Sequence, residues 1–376
     1  MMKVLIDPQI FSIQKYGGIS RYFCELVGNF KNIKEISVKI VTPFYVNSYI
    51  TSVDSADVIG CSCQDFFKNC NLRVCKTAIR VMSLVVGDLI LSLYRPDIIH
   101  ESYYLPFGLG LKKSKRVLTI YDMIHEKFPS QFSISDKVSR FKAIAAKRAD
   151  HIICISESTR RDVIEMLNID PKKISVVYLG FNSPTLVDCG SGFDFKNSAK
   201  PFLLYVGNRS GYKNFNSLIR AFSSSDLLMA NYQLVCFGGG PIESEEIKLL
   251  KELGLEVNRE LLFFSGDDDL LFYLYKNAQA FIYPSLYEGF GIPPLEAMAC
   301  NCPVICSDAS SIPEVVGDAG EYFNPYDIAS IAKAVEYVVS SNSRMNQLRE
   351  LGKIRLRKFS WERCASETAE VYKKLI

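Results

Sequence analysis

Two glutamates separated by seven residues, Glu288 and Glu296, are the first candidates for chemistry in this sequence. The apolar run 280–283 before them is typical of a buried strand. Pro293 and Pro294 lie between the two acids, and because proline fits the first helical position, we expect a helix to begin there with Glu296 in its first turn. The two acids would then converge on the carboxyl end of a strand, where open α/β sheets bind ligands. A pair of solvated surface acids is the alternative.

Two cations, Arg209 and Lys213, occupy a glycine-containing turn that follows the strand-like run 202–206 and precedes a helical pattern. The arginine guanidinium presents a planar fork of donors, whereas the lysine ammonium is a mobile point charge. Together they are suited to neutralise a diphosphate group. Two unrelated surface cations are the alternative.

The stretch 119–129 leaves the end of a predicted strand and enters a loop. It carries Asp122, His125 and Glu126, which can therefore reach a cleft between two domains. An isolated histidine is more often structural than catalytic, so His125 either takes part in the chemistry or packs.

Gly17 and Gly18 stand between the first predicted strand and a helix whose apolar residues recur over 19–30. Glycine just before a helix lets the backbone approach an anion, which the helix dipole favours. A tight turn without any ligand is the alternative.

Three other patterns predict structure rather than chemistry. The acids 267–269 directly precede a helical run, where acids cap a helix and complement its dipole. The glycines 238–240 lack the spacing of a dinucleotide fingerprint and indicate a tight turn, which disfavours a dehydrogenase. Four cysteines lie near one another without a supporting histidine, so we expect plain thiols and no metal. These cysteines are Cys61, Cys63, Cys70 and Cys75.

The length of 376 residues suits two domains, and the 48% share of apolar residues is enough for two packed cores. The 12 cysteines show no disulfide-scaffold spacing. Because the first residues resemble no secretory signal, we expect reduced thiols in a cytoplasm. The longest apolar stretch, 81–94, is interrupted by Asp88 and is too short to span a bilayer, so we expect no transmembrane helix.

The charge is divided unevenly along the chain. Residues 1–180 hold 25 lysines and arginines against 17 acids, whereas 181–376 hold 19 against 24. A basic half suits contact with an anionic membrane or a phosphorylated acceptor. Two differently solvated surfaces are the alternative, and we expect no nucleic-acid partner.

Strand-like runs alternate with helical patterns, which predicts an α/β chain with a parallel, doubly wound sheet in each half. Residues 181–200 are predicted to form a linker, and 61–94 an amphipathic helical insertion. The predicted strands of the first half are 3–6, 36–42, 97–100, 116–121, 151–155 and 174–178. Those of the second half are 202–206, 233–237, 280–283 and 304–306.

The run Glu-Gly-Phe-Gly-Ile-Pro-Pro-Leu-Glu-Ala-Met-Ala, which begins at Glu288, resembles the signature of glycosyltransferase family 4. Members of that family are retaining enzymes of the GT-B fold. The resemblance implies that Glu288 contacts hydroxyls of the donor sugar, with the backbone of Gly289, Phe290 and Gly291, and that Glu296 holds the nucleotide ribose. Carboxylates suit this role, because they accept the hydrogen bonds that sugar hydroxyls donate.

Two other segments carry the same resemblance. Gly17-Gly18 resembles the family's glycine loop near the donor phosphates. Arg209 and Lys213 resemble its diphosphate clamp, in the expected place.

The chain departs from the family pattern at two positions. Asp122 matches the acid of the usual His-Asp pair, but Tyr121 stands where the histidine is expected, and His125 lies three residues further on. Asn301 replaces the usual glycine after the helix of the two glutamates, and asparagine also tolerates a left-handed cap.

The resemblance implies two Rossmann-like, doubly wound parallel-sheet domains that face each other across a cleft. We expect an acceptor-binding domain at 1–185, on which the final helix, 358–376, packs back, and a nucleotide-sugar-binding domain at 200–357. The catalytic residues would be Glu288, Asp122 and His125.

The resemblance further implies retaining transfer of a hexose from a nucleotide-diphosphate sugar to a glycan or lipid-linked acceptor, in O-antigen or capsule synthesis. GDP-mannose is the leading donor, because 121–126 and 211–215 look most like bacterial mannosyltransferases, and a UDP-hexose is second. We expect neither metal nor cofactor, and a cytoplasmic location, peripheral on the inner face of the membrane. A sugar-nucleotide epimerase of the GT-B type and a non-catalytic nucleotide-sugar-binding protein remain open.

Overall fold

The structure is a computed structural model that describes residues 1–63, 73–182, 200–209 and 211–376, without the side chains of 73–76. The chain divides into two compact units. Unit 1 comprises Met1–Gly180 and Ser360–Ile376, and unit 2 comprises Phe181–Phe359. Most of the predicted linker lies outside the described residues, as does Cys70.

A seven-stranded sheet forms the centre of unit 1. Its strands are β1 (Met2–Ile6), β2 (Ile36–Tyr45), β3 (Val58–Ser62), β4 (Ile98–Glu101), β5 (Lys115–Ile120), β6 (His151–Cys154) and β7 (Ile174–Val176). All neighbours are parallel, in the order β3-β2-β1-β4-β5-β6-β7. The six strands predicted here are confirmed, with ends shifted by a few residues, whereas β3 was not predicted.

Among the described residues, six helices of unit 1 precede or follow these strands: α1 (Gln9–Ile13), α2 (Gly18–Phe30), α3 (Arg73–Tyr94), α4 (Ile124–Lys127), α5 (Val138–Arg148) and α6 (Glu157–Leu167). The apolar spacing predicted for 19–30 is confirmed, since α2 buries Tyr22, Phe23 and Leu26. Ser156 caps α6, because its side chain accepts the N–H of Thr159 at 3.0 Å.

The prediction for 61–94 is wrong at its start, because Cys61 belongs to the edge strand β3. Residues 64–72 lie outside the described residues, and Arg73–Tyr94 is helical as predicted. The prediction of free thiols is confirmed for Cys61 and Cys63. The apolar stretch is also longer than predicted. The 18 residues Thr77–Tyr94 have a mean hydropathy of 1.6, so α3 is long and apolar enough, by length and composition, to cross a membrane.

A six-stranded sheet forms the centre of unit 2. Its strands are β8 (Phe202–Val206), β9 (Gln233–Phe237), β10 (Leu261–Phe264), β11 (Ala280–Tyr283), β12 (Val304–Ser307) and β13 (Gly320–Phe323). They are parallel, in the order β10-β9-β8-β11-β12-β13. The four strands predicted here are confirmed. The unpredicted strands β10 and β13 are outermost in the sheet, as β3 is in unit 1.

The helices of unit 2 are α7 (Phe215–Ser223), α8 (Asp226–Asn231), α9 (Ser244–Glu252), α10 (Asp268–Asn277), α11 (Ile292–Ala299), α12 (Ile312–Val316), α13 (Ile328–Val339) and α14 (Asn342–Leu356). The capping role of the acids before α10 is confirmed, because Asp267 accepts the N–H of Leu270 at 3.1 Å. Asn301 follows α11 with a left-handed φ of 59°, as predicted.

The last helix, α15 (Trp361–Lys373), belongs to unit 1 and packs on α2. The ring of Tyr372 stacks on Phe30 with centroids 5.8 Å apart. Its hydroxyl lies 2.6 Å from Nδ1 of His100, whose Nε2 lies 2.8 Å from the hydroxyl of Thr119. A buried histidine therefore links the last helix to the sheet.

Burial lowers the pKa of His100 from 6.5 to about 3, so the folded protein keeps this ring neutral. Because the unfolded chain binds the proton near pH 6.5, His100 contributes stability that is lost as the pH falls below that value. Between pH 7 and pH 5 this loss should reach about 2 kcal/mol. Urea unfolding at both pH values should show that His100→Gln is less stable at pH 7 and that the deficit shrinks at pH 5. A deficit that stays constant would contradict this role.

Candidate active site

The strand order reverses beside the first strand of each sheet, between β1 and β4 in unit 1 and between β8 and β11 in unit 2. The loops that leave the carboxyl ends of such neighbours open a crevice, and open α/β sheets bind ligands there. In unit 2 these loops are 207–214 and 284–291, which contain both predicted cations and Glu288.

Hydrogen bonds hold the two loops of unit 2 together. The N–H of Leu286 donates to the carbonyl of Tyr212 at 2.8 Å. The side-chain amide of Asn214 donates to the carbonyls of Pro284 at 3.1 Å and Pro325 at 2.8 Å. Sequence reasoning missed Asn214, whose left-handed φ of 58° fits asparagine better than most residues. The crevice is therefore held in shape by the protein itself.

Lys213 and Glu288 form an ion pair in this crevice. The ammonium nitrogen lies 2.7 Å from Oε1 of Glu288, and the side chains are 17% and 10% exposed. The ammonium also lies 5.4 Å from the ring centre of Tyr212 and 5.8 Å from that of Tyr283, within reach of cation–π attraction. Burial, and then the charge of Glu288, raise the pKa of Tyr283 well above its ordinary value. The pair thus places one cation and one carboxylate where a ligand of mixed charge can meet both.

Two serines fix the backbone at Glu288. Its N–H donates to Oγ of Ser310 at 2.8 Å. Oγ of Ser311 lies 2.8 Å from the carbonyl oxygens of both Glu288 and Phe290, so its single proton can be donated to either. Sequence reasoning did not single out either serine for the site, although two serines just after a strand beside the crevice were a usable signal.

The helix that carries Glu296 begins earlier than predicted. Gly291, with a φ of 114°, lets α11 begin at Ile292, so the two prolines take its second and third positions. Glu296 is consequently the fifth residue and lies in the second turn, which corrects the prediction of the first turn. Because prolines lack an N–H, only Ile292 and Leu295 offer donors in the first turn.

Glu296 and Phe290 are both buried. The carboxylate of Glu296 lies close enough to Tyr275 to add to the effect of burial, which raises the pKa of that tyrosine well above its ordinary value. The Phe290 ring packs edge-on against Phe359, with centroids 5.8 Å apart. Phe290 and its glycine neighbours can therefore serve a ligand through their backbone.

The side chain of Arg209 forms hydrogen bonds within unit 2 rather than pointing freely into the crevice. Its side chain is 3% exposed, and its Nε donates to Oε1 of Glu246 at 2.8 Å. The guanidinium also donates to the carbonyls of Gly238 at 2.7 Å, Gly240 at 3.0 Å and Pro241 at 2.9 Å. These contacts fix the glycine turn after β9, whose predicted tight geometry is confirmed by three left-handed φ values.

The cavity beside Arg209 has a volume of about 250 Å³ and an acidic wall formed by Glu243, Glu245 and Glu246. An anion that enters it meets these carboxylates as well as the guanidinium. The geometry therefore gives Arg209 a structural role in the glycine turn, and its contact with a diphosphate stays a prediction.

Removal of the Arg209 guanidinium should destabilise unit 2. Arg209→Met leaves the carboxylate of Glu246 and three carbonyls without their donor, which should cost about 3 kcal/mol in the free energy of unfolding. Arg259→Met is the matched control, because Arg259 is 70% exposed and its ion pairs contribute little. Urea unfolding measures both, and equal stability of the two variants would contradict the role in the turn.

In unit 1, Asp122 lies after β5, where a buried lysine holds it. Nζ of Lys142 donates to the carbonyl of Asp122 at 2.9 Å and to Oε2 of Glu126 at 2.8 Å, and it lies 3.8 Å from Oδ1 of Asp122. The Asp122 carboxylate also accepts the N–H of Ile124 at 3.0 Å. Sequence reasoning missed Lys142, which is buried over the Tyr104 ring. Asp122 is thus fixed in place with its side chain 29% exposed.

The ring of His125 packs on an aromatic side chain and also lies beside a carboxylate. Its ring stacks on Phe132 with centroids 3.9 Å apart, and Nε2 lies 3.3 Å from Oδ2 of Asp136. Asp136 also lines a cavity of about 370 Å³ together with Gln9 and Tyr103. A catalytic role of His125 stays a prediction, next to a packing role that the geometry displays.

Gly17 and Gly18 lie at the start of α2. The carbonyl of Gly17 accepts the hydroxyl of Ser20 at 3.0 Å, and a Cβ on Gly17 would displace the Gln14 amide. A Cβ on Gly18 would meet nothing within 4 Å, so space lies open beside it. Their contact with donor phosphates stays a prediction.

A buried acid that sequence reasoning did not single out lies at the crevice of unit 1. Asp7 directly follows β1 and accepts the N–H of Ser102, which directly follows β4, at 3.0 Å. Burial raises the pKa of Asp7 to about 6, although Ser102 opposes the shift. The signal in the sequence was an acid directly after the first buried strand.

Residues 16–183 match the model of Glycosyltransferase Family 4, and residues 193–355 match that of Glycosyl transferases group 1. The chain is 30% identical over 293 residues to O-antigen chain mannosyltransferase B of Escherichia coli, with 75% of each protein covered. The chain belongs to glycosyltransferase family 4. The predicted family and activity class are therefore confirmed.

A second relative of this family 4 glycosyltransferase is O-antigen chain mannosyltransferase RfbU of Salmonella typhimurium. It is 30% identical over 236 residues, which cover 61% of this chain and 64% of the relative. The solved structure of Anabaena Alr3699/HepE in complex with UDP and glucose superposes with a TM-score of 0.71 over 99% of both chains, at 17% identity. Together with the two parallel sheets, this likeness confirms the predicted GT-B fold.

Proposed function

We propose that this glycosyltransferase moves a mannosyl group, with retention, from GDP-mannose to a glycan or lipid-linked acceptor in the synthesis of a cell-surface polysaccharide. Two relatives named as O-antigen mannosyltransferases, each 30% identical, support the choice of sugar. The observation that carries the proposal is the partly buried Lys213–Glu288 ion pair at the point where the strand order of unit 2 reverses.

The donor would lie along the two loops of unit 2. Lys213 would meet the diphosphate, Glu288 the sugar hydroxyls, and Glu296 the ribose. Arg209 would add charge to the diphosphate only if the donor competes with its bonds to Glu246.

The rate would come mainly from stabilisation of charge. As the bond to the sugar breaks, negative charge grows on the departing phosphate, and a fixed ammonium in a partly buried crevice stabilises that charge without reorganisation. Glu288 would hold the sugar while its carbon acquires positive character. The acceptor hydroxyl would attack from the side of the leaving phosphate, which accepts its proton.

The acceptor would bind to unit 1. The cavity at the carboxyl ends of β1 and β4 is lined by both aromatic and charged residues, as an acceptor with sugar and lipid parts requires. His125 lies beside this cavity through its contact with Asp136. Asp122 and His125 would position the attacking hydroxyl. The protein would act in the cytoplasm, peripheral on the membrane.

A thermal-shift series against sugar nucleotides tests the donor. A ligand bound only by the folded protein raises its stability by about 2.7 kcal/mol at a hundredfold excess over Kd. GDP-mannose should give the largest shift and UDP-glucose a smaller one. A larger shift with UDP-glucose would contradict the choice of mannose while leaving the crevice in place.

Turnover measured with and without acceptor separates the two rival functions. Release of GDP that depends on acceptor supports transfer, whereas conversion of the sugar nucleotide without acceptor would show an epimerase. Binding without turnover on any acceptor would favour a non-catalytic protein.

We also expect full activity in the presence of a chelator, and a strict requirement for a divalent ion would contradict this mechanism.

A further inference from the structure

Helix α3 presents a stripe of large apolar side chains to the outside of unit 1. Val81, Val85, Leu89 and Leu93 recur every four residues, so they lie above one another on the helix. They are 54%, 64%, 58% and 70% exposed. Soluble monomers rarely expose a contiguous apolar surface of this kind unless it binds something.

The opposite side of α3 is already buried on the sheet. Leu91 is fully buried in a cluster with Leu5, Val41 and Ile99, and Ser83 is buried as well. A helix that covers a sheet and faces water on its other side should be polar there. Only 17% of the residues Thr77–Tyr94 are buried. Many apolar side chains of this helix therefore face away from the sheet and are exposed.

Cations surround the carboxyl end of this stripe. Arg95 directly follows α3, and the N–H of Gly110 donates to Oδ1 of Asp88 at 2.7 Å, which brings the following segment alongside the helix. That segment carries Lys112 and Lys113, and both line one cavity with Arg95. The one acid of the window, Asp88, is therefore occupied by a backbone donor beside a basic edge.

We propose that this face of unit 1 docks on an anionic lipid surface, with α3 lying in the plane of the interface. The stripe Val81, Val85, Leu89 and Leu93 would enter the boundary between headgroups and acyl chains, and the cations at its end would meet headgroup phosphates. The inference rests on the proposed membrane location of the glycosyltransferase and names the surface responsible for it.

Two other occupants fit less well. A helix that spans the bilayer would have to leave the sheet and expose Leu91 and its cluster. A second copy in a two-fold contact would present the same residues. The interface would then contain the cations of both copies, Arg95, Lys112 and Lys113, and these like charges would repel each other. An anionic lipid surface matches the apolar stripe and the cations at the same time.

Flotation of the purified full chain with vesicles tests the stripe. The wild type should float with phosphatidylglycerol vesicles and much less with phosphatidylcholine vesicles. Val85→Glu with Leu89→Glu should lower the bound fraction at least about tenfold. The matched control is Tyr337→Glu with Ile354→Glu, two residues of unit 2 that are 55% and 58% exposed, and it should bind like the wild type.

Charge reversal tests the cations. Lys112→Glu with Lys113→Glu should weaken binding to phosphatidylglycerol about tenfold or more and reduce its dependence on salt. Reversal of the exposed Lys248 and Lys333 of unit 2 should have little effect. Transfer to a water-soluble acceptor should be unchanged in all four variants, which shows that they fold.

Three outcomes would overturn the proposal. One is equal flotation of the wild type and the Val85/Leu89 variant. Another is a wild-type dimer that this variant dissociates, without vesicle binding by either. The last is a wild type that stays in the vesicles after an alkaline carbonate wash, which would show a spanning helix. Flotation needs no sugar nucleotide, so a failure here leaves the donor site untouched, and an inactive protein that floats leaves this inference standing.

Discussion

Lys213→Met should lower the turnover number for sugar transfer by about 10³-fold. Methionine keeps most of the apolar length of lysine but removes the ammonium, which lies 2.7 Å from Oε1 of Glu288. The negative charge that develops on the departing diphosphate then loses its fixed cation in the crevice of unit 2. Acceptor-dependent release of GDP at saturating donor measures the effect.

A control for this variant must break an ion pair of similar burial elsewhere in unit 2. Arg344 and Glu321 form such a pair, at 2.8 Å with both side chains 20% exposed. Arg344→Met should lose stability to a similar extent and keep its turnover number. A folded Lys213→Met variant with turnover near that of the wild type would remove Lys213 from the mechanism.

Glu288→Gln should lower the turnover number about 10²-fold or more, while the affinity for GDP stays the same or rises. Glutamine keeps the shape of the side chain but removes its charge, so the donor sugar loses a strong acceptor. Lys213, no longer neutralised by the carboxylate, attracts the diphosphate more strongly. Isothermal titration with GDP and steady-state rates separate the two effects.

The double variant tests whether the two residues act as a unit. Groups that act together show losses that do not add, so Lys213→Met with Glu288→Gln should lose little more than Lys213→Met alone. Glu321→Gln is the matched control for the lost carboxylate. Fully additive losses, or weaker binding of GDP to Glu288→Gln, would contradict a shared role.

The sequence predicted the central strands of both sheets and the outermost strand β7, and it missed the other three outermost strands. β8 and β11 are buried throughout, so each appears as a continuous apolar run. β3 is largely exposed, and β13 contains a glycine and a partly exposed glutamate. The composition of β3 and β13 therefore carries little of the pattern by which a strand is predicted, whereas β10 is an apolar run, Leu-Leu-Phe-Phe, that sequence reasoning missed.

The sequence located the loops of the candidate site but not the contacts within them. Lys213 and Glu288 were predicted as two separate groups. In the structure they form an ion pair, although they lie 75 positions apart in the sequence. Arg209 was predicted to meet a diphosphate because of its residue type and its place in a glycine-containing turn. Its partner Glu246 lies 37 positions away, in a helix that gave no sign of the contact. Residue types reveal which chemistry is available, whereas partners depend on the way the sheet brings distant segments together.

The start of α11 was predicted to within one residue from the preference of proline for the first helical position. Proline was expected to occupy the first helical position, but the left-handed Gly291 allows the helix to begin one residue earlier. That shift places Glu296 in the second turn of the helix, further from the helix start than a carboxylate that caps it. Its burial near Tyr275 follows from this position.

A crystal structure of the protein with GDP bound tests the central claim most directly. The proposal predicts the diphosphate within hydrogen-bond distance of the Lys213 ammonium, and the ribose hydroxyls on the carboxylate of Glu296. Nucleotide bound in the acidic cavity beside Arg209, or anywhere else in unit 2 away from Lys213 and Glu296, would contradict it.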